Sequence, residues 1–303
     1  MGTPTSSLPV VDASVQEAIT DEQARSFLEQ GLLLIRNVIS ASELAELQRE
    51  TRTLLDGATA GTGSDVVFGE PAATGERVPY RIEYVIDKSA ACRALLGHPF
   101  ILRSVEKLQG QSFIPTWDSM VFKLEGAGAA VSWHRDAGPE QLLDERPIFN
   151  VGFYLDPSDL TNCLWGLPGS HRWDEEEART RLGELRRDGF GTEGATPLPM
   201  EAGDVILHNI LVLHGSPPAR SQLRRILYYE FRPIEVELAL GPHTPEYAPL
   251  KQRILLAAMR HRTKAPYAAE ELSFGYRPSG EFSPPSGEPG TYRVRHEEHW
   301  RER

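Results

Sequence analysis

A histidine and an aspartate stand two residues apart in Trp133-His134-Arg135-Asp136. On a strand or extended loop, residues i and i+2 point the same way, so this imidazole and this carboxylate can reach one ion. Alone the pair is a weak signal, because His-x-Asp arises by chance in many chains. A third donor, His214, ends the apolar run VILHNILVLH, 80 residues beyond His134. Two neutral imidazoles and one carboxylate make the 2-His-1-carboxylate set that holds non-haem iron(II). Three ligands on one face leave the rest of the coordination sphere open, so a bidentate cosubstrate and dioxygen can meet on the metal.

Two further residues make the reading specific. Ser216 follows His214 by two positions and Arg225 by eleven. This spacing predicts Arg225 on the next strand, antiparallel to the one carrying His214. There its guanidinium can take a carboxylate bidentately, and the Ser216 hydroxyl can add a hydrogen bond. The distal carboxylate of 2-oxoglutarate needs such partners. Asn150 is either a further donor to the cosubstrate or a strand-entry residue. A metal enzyme of the broader cupin type, an isomerase or hydrolase, is the alternative use of the same three ligands, and it gives Arg225 and Ser216 no role.

Four stretches, taken together, resemble the phytanoyl-CoA dioxygenase-like family of iron(II)/2-oxoglutarate-dependent oxygenases. They are LEQGLLLIRNVISASELAEL (28–47), WHRDAG (133–138), NCLWGLPGSHR (162–172) and GDVILHNILVLHGSPPARSQLRR (203–225). The likeness spans roughly residues 20–235. It implies a mainly β fold with flanking α-helices, a double-stranded β-helix or cupin-like jelly roll. It also implies iron(II) on His134, Asp136 and His214, with 2-oxoglutarate on Arg225 and Ser216. The implied reaction is hydroxylation, or another oxidation, of a small organic metabolite by dioxygen, with 2-oxoglutarate decarboxylated to succinate. Related halogenases carry a small residue where this chain has Asp136, so halide transfer is not expected. The one departure is the turn GSPPARS, where the family often has Asn near Ala219.

The elements that must position these residues are legible in outline. Thr20-Asp21 caps a helix that Gly31 stops, and Ser40 caps a second that Gly57 ends. Between them LLLIRNV reads as a buried strand. Residues 58–76 read as an exposed loop, 98–110 as a helix, and 174–196 as a surface insertion with one helical piece. Strands are expected at 80–86, 116–124, 149–155, 204–213 and 226–232, and closure into a jelly roll disposes of their edges. A last helix covers 247–262. The division is a loose leader over 1–19, one oxygenase domain over 20–262, and a wrapping or mobile C-terminal extension over 263–303.

Several other residues near these motifs have ordinary readings. His171 reads as a turn residue bonding local backbone. His208 shares the parity of His214 and reads as a packed core histidine. Trp133 and Trp165 flank the motifs as core or as a substrate platform. Lys123 either attracts an anionic substrate or snorkels to solvent. Tyr80, Arg81 and Glu83 are candidates for substrate contact.

The 43 acidic and 32 basic residues give a net charge of −11, which disfavours nucleic acid and anionic membranes as partners. Against that background the basic cluster Arg220, Arg224 and Arg225 is either a local anion site or a solvated strand end. With 40% hydrophobic residues a full core is possible. Two cysteines and no secretory signal suit a reducing, cytoplasmic setting. No apolar run approaches the length of a membrane span. Oligomeric state is not legible.

Overall fold

The run Leu32–Arg36 is apolar at four successive positions because it is buried on both faces. In the computed structural model, which describes residues 8–69, 77–138, 146–219, 222–283 and 286–301, this strand is β2. Its Leu33 and Ile35 pack among the helices, while Leu32 and Leu34 face the opposite side. The same two-faced burial organises the molecule as helices, a large sheet and a small sheet.

The large sheet has eight strands in the order β1-β2-β10-β7-β12-β5-β4-β3. These are β1 (Val10–Asp12), β2, β3 (Val66–Phe68), β4 (Pro79–Glu83), β5 (Phe113–Lys123), β7 (Phe149–Tyr154), β10 (Val205–Asn209) and β12 (Arg224–Pro233). The small sheet runs β6-β11-β8-β9. Its strands, β6 (Val131–His134), β8 (Leu164–Gly166), β9 (Thr196–Leu198) and β11 (His214–Ser216), have three or four residues each. The two sheets enclose an interior and form the jelly roll.

Helices α1 (Asp21–Gln30), α2 (Ala41–Thr59), α4 (Ala90–Leu96), α5 (Pro99–Gln109) and α8 (Tyr247–Arg262) cover the outer face of the large sheet and share its main apolar core. Thr20 caps α1 in a full capping box with Gln23, and Gly31 ends it in the left-handed region at φ 72°. A Cβ on Gly31 would lie 2.5 Å from Val212 and 2.6 Å from His171. Ser40 caps α2, which passes Gly57 and ends at Thr59. Short helices α3 (Val85–Lys88) and α7 (Ile234–Leu240) were not legible in the sequence, and α6 (Glu175–Asp188) is the helical piece of the charged insertion.

Several expectations change. The strand expected over 204–213 is two strands. Val212 N–H donates to the Asn209 carbonyl, and the Asn209 side chain accepts from the Leu211 N–H. This turn carries the chain from β10 in one sheet to β11 in the other. Second, the expected leader is not loose throughout, since Val10–Asp12 pairs in parallel with β2; residues 1–7 lie outside the described residues. Of the two forms expected for the segment after α8, wrapping or mobile, the described part takes the first, with Phe274, Tyr276 and Val294 in the main core. Of the loop expected at 58–76, residues 70–76 lie outside the described residues, as does Arg220 of the basic cluster. Among the described residues no helix is long and apolar enough to cross a membrane.

Candidate active site

His134 ends β6 and His214 opens β11, and the two are partners across the antiparallel ladder. Gly215 permits that approach, because a Cβ there would lie 2.9 Å from the Val131 carbonyl oxygen and 3.1 Å from Trp133 N. Asp136 follows β6 and is anchored by its own N–H, which donates to the Ile210 carbonyl. The result is a tight group. His134 Nε2 lies 3.3 Å and His214 Nε2 3.7 Å from Asp136 Oδ1. Ligand atoms of all three residues fall within 4.8 Å of one another.

The tautomers follow from the backbone. His134 Nδ1 is 2.8 Å from the Ser132 carbonyl, and His214 Nδ1 is 2.9 Å from the Val212 carbonyl. A carbonyl only accepts, so each Nδ1 carries the proton and each Nε2 presents its lone pair inward. Burial opposes protonation of His134, but the Asp136 hydrogen bond and charge outweigh it and raise the pKa. Burial dominates at His214 and lowers its pKa to about 3. Asp136 is raised by burial and lowered by His214, His134 and His208, and the imidazoles win, holding it well below the usual carboxylate range.

Asn150 and His208 complete this centre from the large sheet, where they are register partners on β7 and β10. Asn150 Nδ2 donates to Asp136 Oδ2 at 3.0 Å, and His208 Nε2 lies 3.2 Å from the same oxygen. Asn150 therefore touches a metal-ligand candidate. His208 is no remote core residue, since its ring centroid is 4.7 Å from that of His214.

These residues line a cavity of about 650 Å³ between the sheets, together with Ser216. Arg225 does not line it. Strand β12 pairs with β5 and β7 in the large sheet, not with β11, and Arg225 lies on its helix-facing side. Its guanidinium forms a bidentate pair with Asp156, both bonds 2.8 Å, and also donates to the Gln48 carbonyl and Thr51 hydroxyl on α2. Its neighbour Arg224 faces the cavity. Arg224 is 1% exposed, bonds the Asn162 carbonyl through Nη1, and has a buried Nε with no partner among the described residues.

Lys123 is also buried, neither at a mouth nor snorkelling. Its ammonium donates to the Ala129, Pro217 and Ser216 carbonyls and so ties β5 to the turn after β11. Burial and the adjacent Arg224 lower its pKa to about 6. His171 bonds the Leu28 carbonyl, away from the cavity. Trp133 and Trp165 pack with Phe190 in a satellite core. Tyr80 and Arg81 do line the cavity, and Glu83 pairs with Arg81 at 2.9 Å.

Sequence reasoning marked Arg224 only as part of a basic cluster and missed Tyr228, Glu230 and Arg232 as lining residues. The signal was present in β12, whose even positions carry Arg224, Ile226, Tyr228, Glu230 and Arg232 and whose odd positions carry Arg225, Leu227, Tyr229 and Phe231. That alternation marks a polar face and a core face, with Arg225 in phase with the core face.

A second group, Glu43, His98 and Glu271, has its potential ligand atoms within the same 4.8 Å limit. There the Arg262 guanidinium already bridges the two carboxylates, at 2.7 Å to Glu43 and 2.5 Å to Glu271. The position a cation would take is filled by a side chain.

The model of the phytanoyl-CoA dioxygenase family matches residues 27–227. The chain belongs to that family. Its relatives include a probable alpha-ketoglutarate-dependent hypophosphite dioxygenase of Stutzerimonas stutzeri, 27% identical over 67% of this chain and 75% of that protein. The solved structure of EvdMO1 is 28% identical with a TM-score of 0.59, over 69% of this chain; the match spans about half, 49%, of the EvdMO1 chain. EctD from S. alaskensis, solved with 2-oxoglutarate and 5-hydroxyectoine, is 19% identical and covers 91% of this chain and 87% of its own, with a TM-score of 0.59. This last likeness shows the jelly-roll fold. As a member of this iron(II)/2-oxoglutarate oxygenase family, the chain uses iron(II), 2-oxoglutarate and dioxygen.

The residues present fit that set. Three donors of the iron type converge, and a buried arginine without a carboxylate partner among the described residues stands in the same cavity, where a buried charge calls for an anion.

Proposed function

We propose that this oxygenase hydroxylates a small organic molecule while 2-oxoglutarate is decarboxylated to succinate, acting in a reducing, cytoplasmic setting. The observation that carries the reading is the cavity shared by the His134, Asp136 and His214 donors and by Arg224, whose buried Nε has no partner among the described residues. Both cysteines are free and buried, in keeping with that compartment.

His134 Nε2, Asp136 Oδ1 and His214 Nε2 would hold the iron, and Arg224 with Ser216 would hold the distal carboxylate of 2-oxoglutarate. Iron(II) with 2-oxoglutarate supplies the activation of dioxygen and the oxidising power for C–H cleavage. Asn150 and His208 hold Asp136 Oδ2, so Oδ1 stays turned toward the imidazoles. The Asp136 carboxylate would supply the third protein ligand, at the place where a halogenase has a small residue, so the proposal is oxygen insertion and not halide transfer. Arg224, desolvated between the sheets, binds a dianion selectively by charge and by its fork of donors.

Anaerobic addition of iron(II) and 2-oxoglutarate should give a weak visible charge-transfer band that Asp136→Ala abolishes. Aerobic turnover should then release succinate and add one oxygen atom to a substrate, read by mass spectrometry. Absence of the band and of succinate from the wild-type protein would overturn the reading.

A further inference from the structure

The family match ends at residue 227, yet the cavity wall does not. Pro242, Trp300 and Arg301 line it, together with Trp117 and Tyr80. Residues 294–301 reach the site as a docked strap. His243 and Trp300 form an antiparallel bridge. Thr244 N–H donates to the His299 carbonyl at 2.6 Å, and Arg301 N–H to the Pro242 carbonyl at 2.8 Å. The Arg301 Nε donates to the His243 carbonyl at 2.6 Å, and its Nη2 reaches the Leu238 carbonyl at the end of α7. His296 stacks on Trp117 with ring centroids 3.5 Å apart and planes 8° apart. Its Nδ1 meets the Tyr247 hydroxyl at 3.1 Å. Against this anchoring, Trp300 is 52% exposed, an indole on the cavity wall with half its surface open.

The charges of the outer cavity are already matched. Arg81 pairs with Glu83 at 2.9 Å. Arg232 pairs with Glu230 at 2.7 Å and Glu237 at 3.2 Å. Arg301 is engaged by backbone carbonyls. Thr116 and Arg232 both bond Glu230 Oε1, so no bond of either engages Oε2. Arg224, the lining arginine with neither a carboxylate nor several carbonyls, is assigned above to 2-oxoglutarate. Among the described residues a phosphorylated or thioester-nucleotide substrate would meet no unmatched cation, whereas four aromatic side chains, Tyr80, Trp117, Tyr228 and Trp300, line the same cavity.

We propose that the strap His296–Arg301 is a selectivity element of the active site, and that Trp300 contacts an uncharged, ring-bearing polar substrate. The proposal rests on the oxygenase reading above for the reaction but not for the binding. The probes are a panel of uncharged cyclic and aromatic alcohols and the phosphate ester of each. Wild-type succinate release should be stimulated by members of the uncharged set and not by their esters. For the best of these, Trp300→Ala should raise KM about tenfold, the scale of one lost aromatic contact. The KM for 2-oxoglutarate should stay within about twofold, and Trp300→Phe should recover most of the loss. Preference for the phosphate esters, no response to any uncharged ring, or an unchanged KM in Trp300→Ala would overturn the proposal. Equilibrium dialysis of the uncharged panel against metal-free wild-type and Trp300→Ala protein separates the two readings. Loss of binding in the variant supports the strap even where the charge-transfer band fails, and equal binding overturns the strap even where the band appears.

Discussion

Adjacent arginines with opposite fates show how much one residue of strand parity decides. Arg225 holds Asp156 and α2, while Arg224 lies against the cavity with a free Nε. Removing Arg224 takes away the partner proposed for 2-oxoglutarate. Arg224→Ala should therefore raise the KM for 2-oxoglutarate about a hundredfold or more, the scale of a buried charge-assisted pair. Removing Arg225 leaves Asp156, whose side chain is 13% exposed, without its cation. Arg225→Ala should cost about 3–5 kcal/mol of stability with the KM for 2-oxoglutarate little changed. Titrating 2-oxoglutarate against succinate release, alongside denaturant melts, distinguishes them. The reverse pattern would return the cosubstrate to Arg225.

At the scale of elements, the strap gives a dependence on pH with a definite sign. Burial, then Lys251, His243, Arg232 and His299, lower the pKa of His296 to about 2, against an ordinary 6.5. The uncharged neighbours are Trp117, Tyr84 and Tyr247, which stack on or bond the ring. Below about pH 6.5 a released strap binds a proton that the docked strap does not. Docking is thus strongest above that pH and weakens as the pH falls through the window from about 6.5 towards 2. Tryptophan emission should shift to the red between pH 8 and pH 5.5 in the wild-type protein, and the shift should shrink in His296→Phe, which keeps the stack but cannot titrate. An equal shift in both proteins would assign the transition elsewhere.

Across the whole molecule, Arg262 at the end of α8 joins early and late parts of the chain. It bonds Glu43 on α2 and Glu271 beyond the last helix. Glu43 is 1% exposed, and burial raises its pKa, against the pull of Arg262. Arg262→Met would leave that carboxylate buried without its cation, at a cost of about 3–5 kcal/mol. A large fall in the thermal midpoint is expected, with partial recovery in the double variant Arg262→Met, Glu43→Gln. A midpoint within a degree or two of wild type would show that the bridge adds no net stability.

The sequence alone singled out the candidate metal donors, because His134, Asp136 and His214 belong to motifs whose spacing is itself informative. It also determined the long elements, whose apolar patterns extend over enough residues to read. The rest depended on which strand pairs with which. The small-sheet strands are too short to show a period. The Asn209 turn splits an apolar run that local pattern reads as one strand. Its crossing brings His208 and Asn150 of one sheet against Asp136 and His214 of the other. The choice of Arg224 over Arg225 followed from β12 lying in the large sheet with its even positions inward. Only the tertiary structure carries residues 294–301 back to a cavity some 160 positions from His134, because contacts made by stacked rings and backbone bonds leave no periodic trace in the chain.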